Sequence, residues 1–393
     1  MKRILYILLL LPFCWACDEA PVVDPVTYDC ALNFPNEGAN HPKASVMSQA
    51  LAEHVEVNPG IQVALRTEDQ LIWTDAYGKA DIPNNVALEA CTPTMVGSIS
   101  KVFTGVLIMQ LHEEGILSVE DPARDWLDPE LVDNIENLDQ ATIRQLLNHT
   151  SGIFDYLGAE QFVTALNEPP LLESQFDKLR FAYGRKAYHP VGEKHTYSNS
   201  NYVLLGLIIE KGRNMPLWDA VRMYITEPLG LGQTQMGTHD DPIPAGTARP
   251  YALSQGRYRD LMPHAVSDAA TGDGGIASNM QELMIFAEGI FDGTLMKQET
   301  MELMIGNPVE MGLDQTDFSE WDDERYGLGI ARFNTPYGTA YGHTGSTSSY
   351  NAFLWYWPDT GASLAIGYHI EADGEAWGNR WAFWQSVMEK MFE

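Results

Sequence analysis

The chain has 393 residues, 45% of them hydrophobic and 20% charged, with 33 Gly and 22 Pro. That composition can build a core, and it excludes a disordered, collagenous or coiled-coil chain. Lys and Arg number 24 against 54 Asp and Glu, a net charge of −30. Spread along the chain, this acidity makes a solvated surface with no basic stripe for nucleic acid.

Lys2 and Arg3 open the chain, and Ile4 to Leu11 form an apolar run too short to span a bilayer. Residues 1–16 therefore read as a secretory signal. Two processing routes fit. Cys14 and Ala16 are the small residues of an ordinary cleavage site. Alternatively, Cys17, followed by Asp18-Glu19, resembles the lipidated cysteine of a bacterial lipoprotein, although Cys14 and Trp15 depart from the usual lipobox. Residues 17–42 then form a linker. The expected place is the periplasm, or the outer membrane or cell surface through a lipid anchor. No later stretch reaches the about 18 consecutive apolar residues of a membrane span.

Once Cys14 leaves with the signal, Cys17, Cys30 and Cys91 remain. With Cys17 lipidated, parity in an oxidising compartment points to a Cys30–Cys91 bridge. The competing reading leaves both as thiols, with Cys91 a small buried hydrophobe. No Cys/His spacing suits a metal. At His112-Glu113-Glu114, Ile116 stands where a zinc-protease motif needs its second histidine.

The elements follow in order. Pro42 to Val55 reads as a helix, and Ile61 to Thr67 and Leu71 to Gly78 as a hairpin around Glu68-Asp69-Gln70. In Ser98 to Glu114, the residues Ile99, Phe103, Val106, Leu107 and Leu111 recur at helical spacing, and Gly115 closes the helix. Asp121 to Phe291 is mainly helical, with Pro/Gly-rich excursions at Glu168 to Gly192 and Gly237 to Gly256. Strands are then expected at Tyr326 to Phe333, Gly338 to Gly342, Tyr350 to Trp357 and Ala362 to Ile370, before a helix from Glu375 to Phe392. Strands at both ends around a helical middle imply an α/β (α+β) unit. Its antiparallel sheet is built from both chain ends and flanked by helices, and it carries a mainly helical inserted subdomain. The α/β part covers residues 43–115 and 300–393 and the helical part residues 116–299, within one domain of residues 43–393.

Three short motifs could carry chemistry. Ser98 and Lys101 lie one turn apart on a helix start, where free N–H groups favour a developing negative charge. A lysine in an apolar helix is poorly solvated when charged, which suits it to act as a base. The bland alternative makes Ser98 an N-cap and Lys101 a solvated first-turn residue. Around His195 to Asn199, Tyr197 could pass a proton and Asn199 could hold a substrate amide. As a plain turn, Ser198 and Asn199 would merely cap the following helix. In Gly342 to Ser346, placed between two expected strands, His343 and Thr344 could meet a carboxylate. The Ser346 N–H could meet an oxyanion. His149, in His149-Thr150-Ser151-Gly152, reads as structural, the stop of the helix Ala141 to Asn148.

Ser98-Ile99-Ser100-Lys101, Tyr197-Ser198-Asn199 and His343-Thr344-Gly345, in this order, resemble the three active-site motifs of the penicillin-recognising serine hydrolases. The Tyr-x-Asn form is similar to the branch of class C β-lactamases, D-alanyl-D-alanine carboxypeptidases and family VIII esterases. Thr142 to Gly152, Gly274 to Ser278 and Tyr326 to Gly329 also look like that branch. The resemblance spans roughly residues 43 to 392 by the motif positions and implies a β-lactamase/transpeptidase-like fold. It implies further that Ser98 is acylated, with Lys101 and Tyr197 moving the proton and either one as the base. The Ser98 and Ser346 N–H groups would form the oxyanion hole, while Asn199, His343, Thr344 and Gly345 bind substrate. Class C β-lactamases have lysine where His343 stands. A histidine with the ordinary pKa near 6.5 would favour anionic substrates only in acid.

The expected activity is that of an exported serine hydrolase on D-amino-acid peptides or related amides. The alternatives are a carboxylesterase of the same fold and a non-enzymatic binder or sensor. Intact Ser98, Lys101 and Tyr197 weigh against the last. No cofactor is called for. The expected partner is a small-molecule or peptide substrate, with no nucleic acid, and the chain is expected to be a monomer.

Overall fold

An antiparallel sheet of eight strands organises the described residues. The computed structural model describes residue 28 and residues 30–54, 60–160, 175–262, 271–311, 324–347, 349–372 and 376–393. The expected signal segment, residues 1–16, and Cys17 lie outside them. In chain order the strands are β1 (Ile61–Arg66), β2 (Ile72–Tyr77), β3 (Val309–Glu310), β4 (Arg325–Tyr326), β5 (Ala331–Thr335), β6 (Gly338–Ser346), β7 (Asn351–Trp357) and β8 (Ala362–Tyr368). Their order across the sheet is β3-β4-β5-β6-β7-β8-β1-β2. The early hairpin is thus joined to the late strands by β1 against β8, with Ile61 opposite Tyr368 and Leu65 opposite Leu364. This gives the α/β class with one sheet drawn from both parts of the chain.

Both faces of the sheet are covered, which explains why β8 is buried along its whole length. On one face α1 (Ala44–His54) and the last helix, Ala376–Phe392, pack Met47, Leu51, Trp384 and Met388 against Val63, Trp73, Phe353 and Trp355. Each large side chain buried this way contributes about 1.5–3 kcal/mol relative to exposure. On the other face lie α2 (Ser100–Glu113) and Met280–Phe291. Every residue of α2 from Ser100 to Leu111 is buried, as expected of a helix that is apolar all round.

Three boundaries differ from the sequence reading. The expected strand Tyr326 to Phe333 is two strands. Gly327 N donates to Ile330 O at 2.8 Å, and Gly329 takes a φ of 93°, so β4 and β5 form a hairpin. Strand β6 continues past Gly342 to Ser346 because Ser346 still pairs with Asn351. The third motif is therefore inside a strand rather than between two. The last expected strand stops at Tyr368, and Ile370–Ala372 pairs parallel with Tyr251–Ser254, within a stretch expected to be irregular.

Cys30 and Cys91 are disulfide-bonded across a sequence separation of 61. In the chain-entropy picture a loop of that length contributes about 4 kcal/mol. The bridge fixes an N-terminal strap, which Asn33 anchors to Glu282 at 3.0 Å, to the segment just before Ser98. Among the described residues no helix is long and apolar enough to cross a membrane, and no group of His, Cys, Asp or Glu is placed to hold a metal.

Candidate active site

Ser98 lies in a 3-10 turn, Gly97–Ile99, that leads straight into α2. The three-residue spacing brings Lys101 Nζ to 2.9 Å from Ser98 Oγ. Lys101 is fully buried, while Ser98 is partly open to solvent. The same nitrogen donates to Asn199 Oδ1 at 2.8 Å and to the Asp273 carbonyl at 2.9 Å. It lies 5.1 Å from the centre of the Tyr197 ring and 5.6 Å from that of Tyr202.

Tyr197 immediately precedes the helix Asn199–Arg213, whose N-cap is Ser198. Ser198 holds the N-cap position without a side-chain capping bond, and Tyr197 and Asn199 on either side of it both lie against Lys101. The Asn199 amide nitrogen donates to Asp155 Oδ2 at 2.9 Å, so this side chain bridges Lys101 and Asp155. Burial pushes the Asp155 carboxyl above the usual carboxylate range, against the lowering effect of the Leu157 and Asn199 donors. Asp273 faces the same region and accepts from Tyr156 Oη at 2.7 Å. His149 is completely buried against Tyr197, with ring centres 4.3 Å apart. Its Nδ1 accepts from Ser198 N at 3.2 Å, so it braces the second motif from behind.

The third motif reaches the nucleophile through glycine. A Cβ on Gly345 would overlap the Val96 carbonyl and stand 3.1 Å from Ser98 N. One on Gly97, whose φ is +53°, would stand 2.7 Å from Ser346 N. Side chains larger than hydrogen would hold β6 away from the 3-10 turn. Without them β6 lies directly against the turn, Gly345 beside Ser98 N and Gly97 beside Ser346 N. Thr344 is half-buried beside them, and Ser346 is exposed.

His343 departs from the sequence expectation. It is 6% exposed, its Nε2 is 2.9 Å from Tyr326 Oη, and its Nδ1 faces the Thr344 carbonyl. A carbonyl can only accept, so Nδ1 carries the hydrogen and Tyr326 donates to Nε2. Burial, and then the Lys101 charge, lowers its pKa to about 3. A ring titrating near 6.5 and reaching out to a carboxylate is thus replaced by a neutral ring tied to the protein.

Asp155 and Asp273 were not singled out from sequence, although Asp273 adjoins the stretch Gly274 to Ser278 and Asp155 follows Thr142 to Gly152 closely; Tyr326 opens the stretch Tyr326 to Gly329 but was given no part in the site.

A family model described as Beta-lactamase matches residues 47–383. Penicillin-binding protein 4* of Bacillus subtilis (strain 168) is 26% identical over 78% of this chain and 67% of its own length. Protein flp of Staphylococcus aureus (strain MW2) is 30% identical over 45% of this chain, which spans about a third (34%) of that relative. Among solved structures, a D-stereospecific amidohydrolase from Streptomyces sp. superposes with a TM-score of 0.68 at 26% identity, covering 83% of this chain and 94% of its own. A penicillin binding protein from Bacillus halodurans shares the fold, with a TM-score of 0.71 at 20% identity over 88% of this chain and 99% of its own.

Proposed function

We propose, from the premise that the chain belongs to the beta-lactamase family, that this serine hydrolase forms an acyl-enzyme at Ser98 with D-amino-acid amides or short D-peptides. The observation that carries the reading is the surroundings of Lys101 Nζ. Asn199 Oδ1 and the Asp273 carbonyl can only accept hydrogen bonds, and a neutral amine has two hydrogens to give them. Lys101 Nζ also donates to Ser98 Oγ at 2.9 Å, and once the amine gives up that third hydrogen its lone pair faces the same hydroxyl, within reach for proton abstraction.

Ser98 Oγ attacks the carbonyl carbon, and its proton passes to Lys101, with Tyr197 beside the path. The oxyanion accepts from Ser98 N and Ser346 N, and the proton goes on to the leaving amine as the C–N bond breaks. Water then reverses the sequence and frees the acid. Neutral His343 offers a carboxylate no charge, so an uncharged amide loses no ion pair there relative to a peptide. The likeness to a D-stereospecific amidohydrolase at 26% identity supports D-configured substrates. The same neutral mouth admits carboxylic esters, the second reading. The signal-like N-terminus and the Cys30–Cys91 bridge support export, to the periplasm or to a lipid-anchored place on the envelope.

The test is a panel of D-alanine amide, D-Ala-D-Ala peptides, p-nitrophenyl esters and penicillin, with covalent labelling by a serine-hydrolase probe. Turnover of the amide and a label on the Ser98 peptide, lost in Ser98→Ala, are expected. A label that survives Ser98→Ala would refute the nucleophile, and turnover confined to esters would select the second reading.

A further inference from the structure

The two residues whose oxygens meet Lys101 Nζ are each bonded from behind by one member of a single dipeptide. Asp155 accepts from the Asn199 amide at 2.9 Å, and Tyr156 Oη donates to Asp273 Oδ2 at 2.7 Å. Tyr156 is 1% exposed, so its hydroxyl serves the interior and does not touch substrate. Its main-chain N–H donates to Ser200 Oγ at 3.0 Å, which ties it to the helix that starts at Asn199.

The main-chain carbonyl of Asp273 does not depend on that hydroxyl. Thr104, three residues beyond Lys101 on α2, donates to Gly272 O at 2.7 Å. Gly272 N donates to Gln175 Oε1 at 3.3 Å, and Gly274 N to Thr271 O at 3.1 Å. Other groups thus fix the backbone on either side of Asp273, and Tyr156 governs its side chain. Asp273 Oδ1 is buried without a partner among the described residues. There, the Tyr156 hydroxyl is the carboxylate's one donor.

Among the described residues no carboxylate forms an ion pair with Lys101. The Asp155 carboxyl feels its charge but is tied to Asn199 and to Leu157 N. His149 and His343, kept uncharged by burial, and the Tyr197 and Tyr202 rings are the other titratable groups around the amine. Buried Lys178 stands beyond, 5.9 Å from the Tyr156 ring centre and 3.1 Å from Thr271 Oγ1.

We propose that Tyr156 is a positioning residue for the base: its hydroxyl holds the Asp273 carboxylate away from Lys101, so that the amine meets only the carbonyl of that residue. This rests on Lys101 being the base that activates Ser98. A carboxylate released toward the amine would favour the ammonium form, which has no lone pair for the Ser98 proton.

The rate at which a fluorophosphonate probe labels Ser98, followed against pH in the full chain, tests this without choosing a substrate. Labelling needs the free amine, so the rate falls on the acid side of the pH at which Lys101 loses its proton. In Tyr156→Phe, which keeps the ring in the core, that acid limb should move up by about one pH unit or more, the scale of a neighbouring opposite charge. Labelling on the limb then slows about tenfold, since one unit is a factor of ten. In an Asp273→Asn background the same substitution should leave the limb where it stands, because no charge remains to be released. A Tyr156→Phe limb that stays put or moves down overturns the proposal even where the rate falls. An equal upward move in the Asp273→Asn background overturns it too. A wild-type rate with no acid limb removes Lys101 as the base, and a wild-type enzyme with Ser98 unlabelled overturns the hydrolase reading; either result takes the positioning role with it.

Discussion

A lysine amine with two obligate acceptors and one hydroxyl neighbour is a base only if it can exist without its third hydrogen. Arginine at position 101 would keep the positive charge but could not supply a lone pair, because its guanidinium does not deprotonate in proteins. Lys101→Arg should therefore lose about 10²-fold or more in kcat, the scale of a lost general base. Tyr197→Phe removes the phenol but keeps the ring against His149, and a comparable loss would place its hydroxyl on the proton path. Near-wild-type turnover in a folded Lys101→Arg enzyme would take the lysine out of the proton transfer. His343 shows the limit of residue-level reading from sequence. Its place in the third motif was legible. The hydroxyl that ties it to the protein comes from Tyr326, at the other side of a two-glycine turn that the strand pattern concealed.

At the scale of elements, the site exists because β6 meets the 3-10 turn of Ser98 without side chains between them. Gly345→Ala puts a methyl group into the Val96 carbonyl and forces strand and turn apart. Separating Ser346 N from Ser98 N should cost about 10²–10³ in kcat, as the loss of an oxyanion donor does, with substrate KM less affected. Wild-type kcat in Gly345→Ala would show that Ser346 does not serve the oxyanion. Sequence reveals such geometry where covalent spacing sets it, as for Ser98 and Lys101 on successive turns of one helix. The sheet was legible for a similar reason: short turns such as Pro358 to Gly361 dictate antiparallel neighbours. Asp155 and Asp273 were not legible, since they reach Lys101 and Asn199 by loops whose course depends on packing. The early end of β6 in the sequence reading has the same origin, since Ser346 is held in the strand by its partner Asn351.

For the whole molecule, the buried histidines set the acid limit of stability. Burial lowers the pKa of His54, His195 and His369 to about 4 and that of His343 to about 3, and it lowers His149 as well. Unfolded, each titrates near 6.5. Between about pH 6.5 and 4 the unfolded chain therefore binds protons that the folded chain refuses, and stability falls as pH falls through that window. Glu324 works in the opposite sense. Burial raises its carboxyl to about 7, so the folded state gains relative stability as pH drops through 7 toward the unfolded value. The smaller upward shifts of Asp75, Asp155, Glu210 and Glu282 act with it. Four histidines displaced by roughly two units or more outweigh one carboxylate displaced as far and four displaced less. The urea midpoint should hence decline steadily from pH 6.5 to 4, and His54→Gln, which keeps polarity without a titrating ring, should make that decline shallower. A midpoint that is level or rising toward pH 4 would mean that these rings are not held neutral by the fold.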